Sequence, residues 1–142
     1  MLRVALIGCG LVADHHSVQI NRVKNAKVVA VCDKEALMAE QLADRFQVKH
    51  FFTDVADLLA NANPNIVHIT TPPATHFALG KRCLEAGCNV YMEKPFTVTT
   101  EEAEALISIA KNKGRFITAG HNLQFTHEAI RMRRLVRDGF LG

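Results

Sequence analysis

Five short apolar runs, "VALI", "KVVAVC", "NIVHIT", "NVYM" and "RFITA", recur along this chain, each too short for a helix and each bounded by turn residues. Runs of this length suit strands buried in a parallel sheet, where helices cover both faces. Between them lie stretches with helical spacing: Leu11 to Val23, Lys34 to Phe46, Asp54 to Ala62, Ala74 to Ala86, Thr100 to Lys113 and His127 to Asp138. A further, short strand is expected within Val48 to Phe52. Strand and helix alternating about six times predict an α/β fold. Its sheet is doubly wound and mostly parallel, with about six strands and helices on both faces. No linker interrupts the pattern, so residues 1–142 read as one domain.

The fifth helical stretch illustrates the reading. Ala103, Leu106, Ile107 and Ala110 repeat at i, i+3, i+4 and i+7, which makes one apolar stripe. Thr100 with Glu101 and Glu102 would cap the amino end, and Gly114 would close the other. A chain of 142 residues can bury roughly two thirds of its unfolded surface, and 49 % hydrophobic residues supply the core. A net charge of +3 is too mild to argue for nucleic acid. The one basic cluster, Arg131, Arg133, Arg134 and Arg137, has the spacing of a solvated helix face. No apolar run is long enough to span a bilayer, and Met1 leads straight into a strand, so no membrane partner and a cytoplasmic location are expected. Cys9, Cys32, Cys83 and Cys88 form no C-x-x-C pair and read as reduced structural thiols.

Within this layout Gly8-x-Gly10-x-x-Ala13 falls between the first strand and the first helix, where a dinucleotide-binding fold needs small residues. Gly8 permits the tight turn, Gly10 lets backbone approach a pyrophosphate, and Ala13 lets the helix pack close to the sheet. Free N–H groups at the helix start then meet the phosphate charge. Asp33 ends the second strand, 20 positions after Ala13, where a carboxylate can accept both hydroxyls of an adenine ribose and repel a 2′-phosphate. NAD is favoured over NADP on that ground, with Lys34 as the feature that keeps NADP open. A cap for the following helix is the other reading of Asp33.

Asp14, His15 and His16 have no further ligand among their i+4 partners, Val18, Gln19 and Ile20, so no metal site is expected there. A surface or phosphate-adjacent histidine is the alternative. Three further clusters fall at the carboxyl ends of strands, where ligands of such sheets bind. They are "ITTPPATH" (Ile69 to His76), "YMEKPF" (Tyr91 to Phe96) and "TAGHNLQF" (Thr118 to Phe125). Each alone admits a plain account as a helix start, a surface ion pair or a polar loop; together on one rim they point to a site.

Gly8-Cys9-Gly10-x-x-Ala13-x-x-His16, Thr71-Pro72-Pro73-x-x-His76, Glu93-Lys94-Pro95 and the closing "GHNLQF" and "LVRDGFLG" follow one another in this order. The chain thereby resembles, over its whole length, the Rossmann-fold nucleotide-binding domain of the glucose-fructose oxidoreductase / inositol dehydrogenase / rhizopine-catabolism family. The E-K-P element is much more specific than the glycines. The resemblance implies NAD(P)-dependent oxidation or reduction of a sugar, cyclitol or sugar-nucleotide carbinol. It implies that Gly8, Gly10, Leu11 and Val12 line the pyrophosphate, Asp33 the adenine ribose, and Thr70, Thr71 and Pro72 the sugar-phosphate side of the cofactor. His76, Glu93, Lys94 and Asn122 would stand towards the nicotinamide, with Lys94 as the catalytic residue at the carbinol oxygen and the Lys94-Pro95 peptide cis. Hydride leaves a carbinol carbon only as its hydroxyl proton is taken, and a lysine beside the oxygen could stabilise the developing alkoxide; a surface pair with Glu93 is the plain alternative for Lys94. Gln124 departs from an arginine that members often carry. The family's C-terminal substrate domain, which supplies an Asp and a His for proton transfer, is expected to begin near Gly142 and is not part of this chain. The resemblance also implies a homo-oligomer for the intact protein. A stand-alone dinucleotide-binding or regulatory module without turnover is the alternative function.

Overall fold

The computed structural model describes residues 1–141. Six strands are present: β1 (Leu2–Ile7), β2 (Ala26–Cys32), β3 (His50–Phe52), β4 (Ile66–Ile69), β5 (Asn89–Met92) and β6 (Ile117–Ala119). They alternate with α1 (Leu11–Arg22), α2 (Ala36–Phe46), α3 (Val55–Ala62), α4 (His76–Glu85) and α5 (Thr100–Lys113), and α6 (His127–Arg137) follows β6. The strands form one sheet in the order β3-β2-β1-β4-β5-β6, and every neighbouring pair is parallel. The order reverses between β1 and β4, which opens a crevice at their carboxyl ends.

Alternation along the strands divides the core in two. Val4, Leu6, Val28 and Val31 pack against Ala13 and Ile20 of α1 and Ala39, Leu42 and Ala43 of α2. Ala5, Ile7, Val67, Ile69, Val90 and Met92 pack on the opposite face with Leu58 of α3, Cys83 and Leu84 of α4, and Leu106 and Ala110 of α5. The register of β1 against β2 shifts between Val4 and Ala5, so Val29 and Ala30 both serve the second cluster while Val28 and Val31 serve the first. The extra residue keeps apolar side chains on both faces of the bulged strand.

Local chemistry moves several boundaries from their expected places. Asp33 Oδ1 accepts the Glu35 amide at 3.0 Å, a turn that holds Lys34 and Glu35 outside α2. Pro73 opens a 3₁₀ turn, Pro73–Thr75, so α4 begins at His76 rather than Ala74. The cap of α5 is Thr99, not Thr100: its hydroxyl accepts the Glu102 amide. The stripe of α5 is also corrected. Ile107 is 55 % exposed, and Ile109 takes its place against the core beside Leu106 and Ala110. No helix among the described residues is long and apolar enough to cross a membrane.

Candidate functional site

The loop from β1 to α1 is shaped by its contact with the end of β4. Gly8 lies at φ +96°, and a Cβ there would fall 2.8 Å from the Thr71 amide nitrogen and 2.9 Å from the Thr70 carbonyl carbon. Only glycine meets both conditions. Thr70 fastens the loop from the other side, donating its amide to Ile7 O at 2.9 Å and its hydroxyl to Gly8 O at 2.7 Å. At Gly10 the surroundings are the opposite: an added Cβ would meet nothing within 4 Å. Gly10 caps α1 without offering a side-chain acceptor to its first N–H groups. Leu11 and Val12 stand exposed beside that opening, Leu11 by 75 %, while Ala13 beneath them is fully buried. An open cradle over a helix amino end with small, backbone-lined walls fits a pyrophosphate.

Asp33, just after β2, borders the same loop. Its Oδ2 accepts the Cys9 amide at 2.7 Å, and its Oδ1 accepts the Glu35 amide. The carboxylate is therefore a tie between the glycine loop and the turn after β2, and Glu35 rather than Asp33 is the residue that caps α2. Each oxygen keeps a second lone pair, so the fit to two ribose hydroxyls remains. Cys9, under the same loop, is pushed up to about 12 by burial, with Asp33 and Cys32 adding to the effect. Burial likewise raises Cys32 to about 11 and Cys83 to about 12. All four cysteines are free and buried, which makes them packing groups rather than nucleophiles.

Two of the three polar clusters, those of Tyr91 to Phe96 and Thr118 to Phe125, converge on one groove, and no residue of Ile69 to His76 lines it. Val12, Glu93, Lys94 and Asn122 line this groove of about 720 Å³, together with His15, His16, His68 and Tyr91. The Lys94-Pro95 peptide is cis. Glu93 Oε2 accepts the Lys94 amide at 3.0 Å, leaving the exposed lysine chain to face the groove. Asn122 opens a 3₁₀ turn just after β6. Thr75 donates its hydroxyl to Thr71 Oγ1 at 2.7 Å, and Pro72 is exposed.

His76 departs from its expected place. It is fully buried, with Nδ1 3.0 Å from Pro95 O and Nε2 2.9 Å from Thr71 O. A ring whose two nitrogens both meet backbone carbonyls has none left for a cofactor. It pins the Thr71-Pro72 turn to the Lys94-Pro95 turn, because α4 starts directly beneath both.

The spacing of residues in the sequence did not single out the floor of the groove. His16 Nε2 lies 2.9 Å from Glu93 Oε1, and His16 Nδ1 lies 2.9 Å from His68 Nδ1. His68 stacks on Tyr91, ring centres 4.6 Å apart and planes 12° from parallel. Burial, and then His16, pushes His68 down to about 3; burial, and then Glu93, raises Tyr91. A signal was available: His68 and Tyr91 are polar rings at alternate positions of otherwise apolar strands, and they pair in register. Among the described residues no group of three or more His, Cys, Asp or Glu side chains is arranged to hold a metal ion. Asp14 is instead ion-paired with Arg45 at 3.0 Å.

Known proteins share both the sequence and this architecture. The chain is 33 % identical over 143 residues to D-glucoside 3-dehydrogenase of Escherichia coli, an alignment covering 99 % of this chain and 40 % of that protein. It is 32 % identical over 143 residues to inositol 2-dehydrogenase of Rhodococcus erythropolis, covering 99 % and 41 %. The crystal structure of GenD2 from gentamicin A biosynthesis in complex with NAD superposes with a TM-score of 0.92 at 28 % identity, over 96 % of this chain and 39 % of that one. The chain thus spans about 40 % of the length of the curated relatives it matches. A profile of the oxidoreductase family with an NAD-binding Rossmann fold matches residues 2–121. Sequence match, strand order and glycine loop agree, and the chain belongs to that family.

Proposed function

We propose that this chain binds NAD across the carboxyl rim of its sheet and is the nucleotide-binding part of an oxidoreductase. The reaction is transfer of a hydride between the nicotinamide and a carbinol of a sugar, cyclitol or sugar nucleotide. The observation that carries the reading is the open cradle at Gly10, bounded by the Gly8 contact with Thr70 and Thr71 and by Asp33. Gly8, Gly10, Leu11 and Val12 would hold the pyrophosphate, Asp33 the adenine ribose, and Thr70, Thr71 and Pro72 the sugar-phosphate side. When bound, the cofactor supplies the hydride acceptor or donor. Lys94 would stand at the carbinol oxygen, where its cation would stabilise the alkoxide formed as a base takes the hydroxyl proton and the hydride leaves, and Glu93 and Asn122 flank it in the same groove. His76 serves by holding the two rim turns together. The dehydrogenase relatives support a sugar or cyclitol substrate for the whole protein. A non-catalytic dinucleotide module would need the cradle but no polar groove beside it, and the convergence of Glu93, Lys94 and Asn122 favours the enzyme. Four buried free thiols fit a cytoplasmic protein in a reducing compartment.

Titration calorimetry with NAD and NADP tests the cofactor half of this reading. NAD is expected to bind more tightly, and Asp33→Ala to lose affinity for NAD much more than for NADP. Tighter binding of NADP by the unaltered chain would overturn the role given to Asp33. For the catalytic half, Lys94→Met in the intact protein is expected to slow turnover about 10²- to 10⁴-fold while NAD affinity stays within about threefold. Unchanged turnover would remove Lys94 from the reaction.

A further inference from the structure

His68, His16 and Glu93 form a continuous chain of polar contacts across the open face of the sheet, and its far end reaches the Lys94 backbone. From β4, His68 Nδ1 meets His16 Nδ1 at 2.9 Å. From α1, His16 Nε2 meets Glu93 Oε1 at 2.9 Å. From the end of β5, Glu93 Oε2 accepts the Lys94 amide at 3.0 Å. His16 and Glu93 are only 12 % and 13 % exposed in their side chains, so solvent does not readily replace these partners. The rings are also held in orientation. His68 is stacked on Tyr91, and His16 meets both of them edge-on, at 87° and 82°. Gly120 backs the Glu93 carboxylate so closely that a Cβ there would fall 3.0 Å from Oε1 and 3.1 Å from the Tyr91 hydroxyl.

Two Nδ1 atoms at 2.9 Å make a hydrogen bond only if one carries a proton and the other a lone pair. Two lone pairs, or two N–H groups, would repel at that distance. His16 Nε2–H donates to Glu93 Oε1, so with a single proton on the His16 ring its Nδ1 offers the lone pair, and His68, kept neutral by burial, places its one N–H on Nδ1 to donate to it. We propose that His16 and His68 are a one-proton strut that fixes the Glu93 carboxylate and, through it, the start of the Lys94-Pro95 turn. They are positioning residues, and their relevance to catalysis rests on the role given above to Lys94. The strut itself is a property of the free chain and needs no cofactor.

Long-range proton–nitrogen correlation on the histidine-labelled chain reads the strut directly. One of the two Nδ1 atoms, and not the other, is expected to carry a proton at neutral pH; protons on both or on neither would overturn the proposal. Amide hydrogen exchange reads the consequence. His68→Leu keeps the bulk and removes the hydrogen bond. It is expected to speed exchange at the Lys94 amide about tenfold, the effect of one lost hydrogen bond, with Val90 in the middle of β5 unchanged. His68→Asn, which can still donate to His16, is expected to restore slow exchange. Equal acceleration at Lys94 and Val90, or none at Lys94, would leave His68 as a packing residue only and sink the positioning role. Because neither measurement includes NAD, failure of the strut is distinguishable from failure of cofactor binding, which calorimetry reports separately.

Discussion

At Gly8 the backbone sits at φ +96° with the Thr71 amide in the space a Cβ would take, whereas at Gly10 that space is empty. The two glycines therefore answer to different constraints, one inside the fold and one outside it. Gly8→Ala combines a left-handed backbone, costing about 1–2 kcal/mol, with overpacking of about 1–3 kcal/mol. Its denaturation midpoint is expected to fall accordingly in urea titrations. Gly10 has extended dihedrals, φ −78° and ψ −172°, which valine adopts freely. Gly10→Val is expected to keep the midpoint within about 0.5 kcal/mol of the unaltered chain and to abolish NAD binding in calorimetry. Loss of stability in Gly10→Val would mean that the cradle is already filled by protein.

Helix α5 shows how an element end is decided by a few atoms. Thr99 Oγ1 accepts the Glu102 amide at 3.3 Å, and Glu102 Oε2 accepts the Val98 amide at 3.1 Å. Thr99-x-x-Glu102 is thus a reciprocal cap, displaced by one residue at its second bond. Thr99→Ala is expected to cost about 1 kcal/mol in thermal or chemical denaturation, while Thr100→Ala, one residue inside the helix, stays within about 0.5 kcal/mol. Equal losses would contradict the assignment. The one-residue error in the sequence reading has the same origin as the exchange of Ile107 for Ile109. A stripe read at i, i+3 and i+4 fixes the helix's periodicity, but which flank of Leu106 and Ala110 is covered depends on what the helix meets.

Over the whole molecule, helices α1 and α2 cover β1 to β3 on one face, and α3, α4 and α5 serve the other. On the α1 side β4 and β5 carry His68 and Tyr91 into the groove. This arrangement gives the fold an acid-sensitive point. An unfolded histidine takes up its proton near 6.5, but folded His68 resists until about 3 because burial, and then His16, oppose the charge. The unfolded chain therefore binds more protons as pH falls below 6.5. The stability contributed by neutral His68 is complete above that pH and is lost progressively towards 3, by about 1.4 kcal/mol per pH unit. The groups that face the ring are His16 and Tyr91, with Glu93 beyond His16, and carboxylates elsewhere titrate in the same range. The measurement is thus a comparison: between pH 6.5 and 4 the unaltered chain is expected to lose stability more steeply than His68→Leu. Parallel curves would show that His68 protonates freely in the fold.

Five apolar runs with helical stretches between them determined the parallel α/β sheet from the sequence alone, because burial on both faces demands that pattern of composition. The position of Gly8-x-Gly10-x-x-Ala13 between strand and helix, with Asp33 after the second strand, likewise located the cradle, since backbone geometry over a few residues dictates it. The resemblance carried by Glu93-Lys94-Pro95 anticipated the cis peptide that the structure contains. Tertiary structure decided the rest. His76 became a buried bridge between Thr71 and Pro95 because α4 begins under both turns. His16 found partners 52 and 77 positions away, in His68 and Glu93. Pairings at such separations leave no periodic trace in the chain; they exist only once β4 and β5 lie side by side and α1 packs across their exposed face.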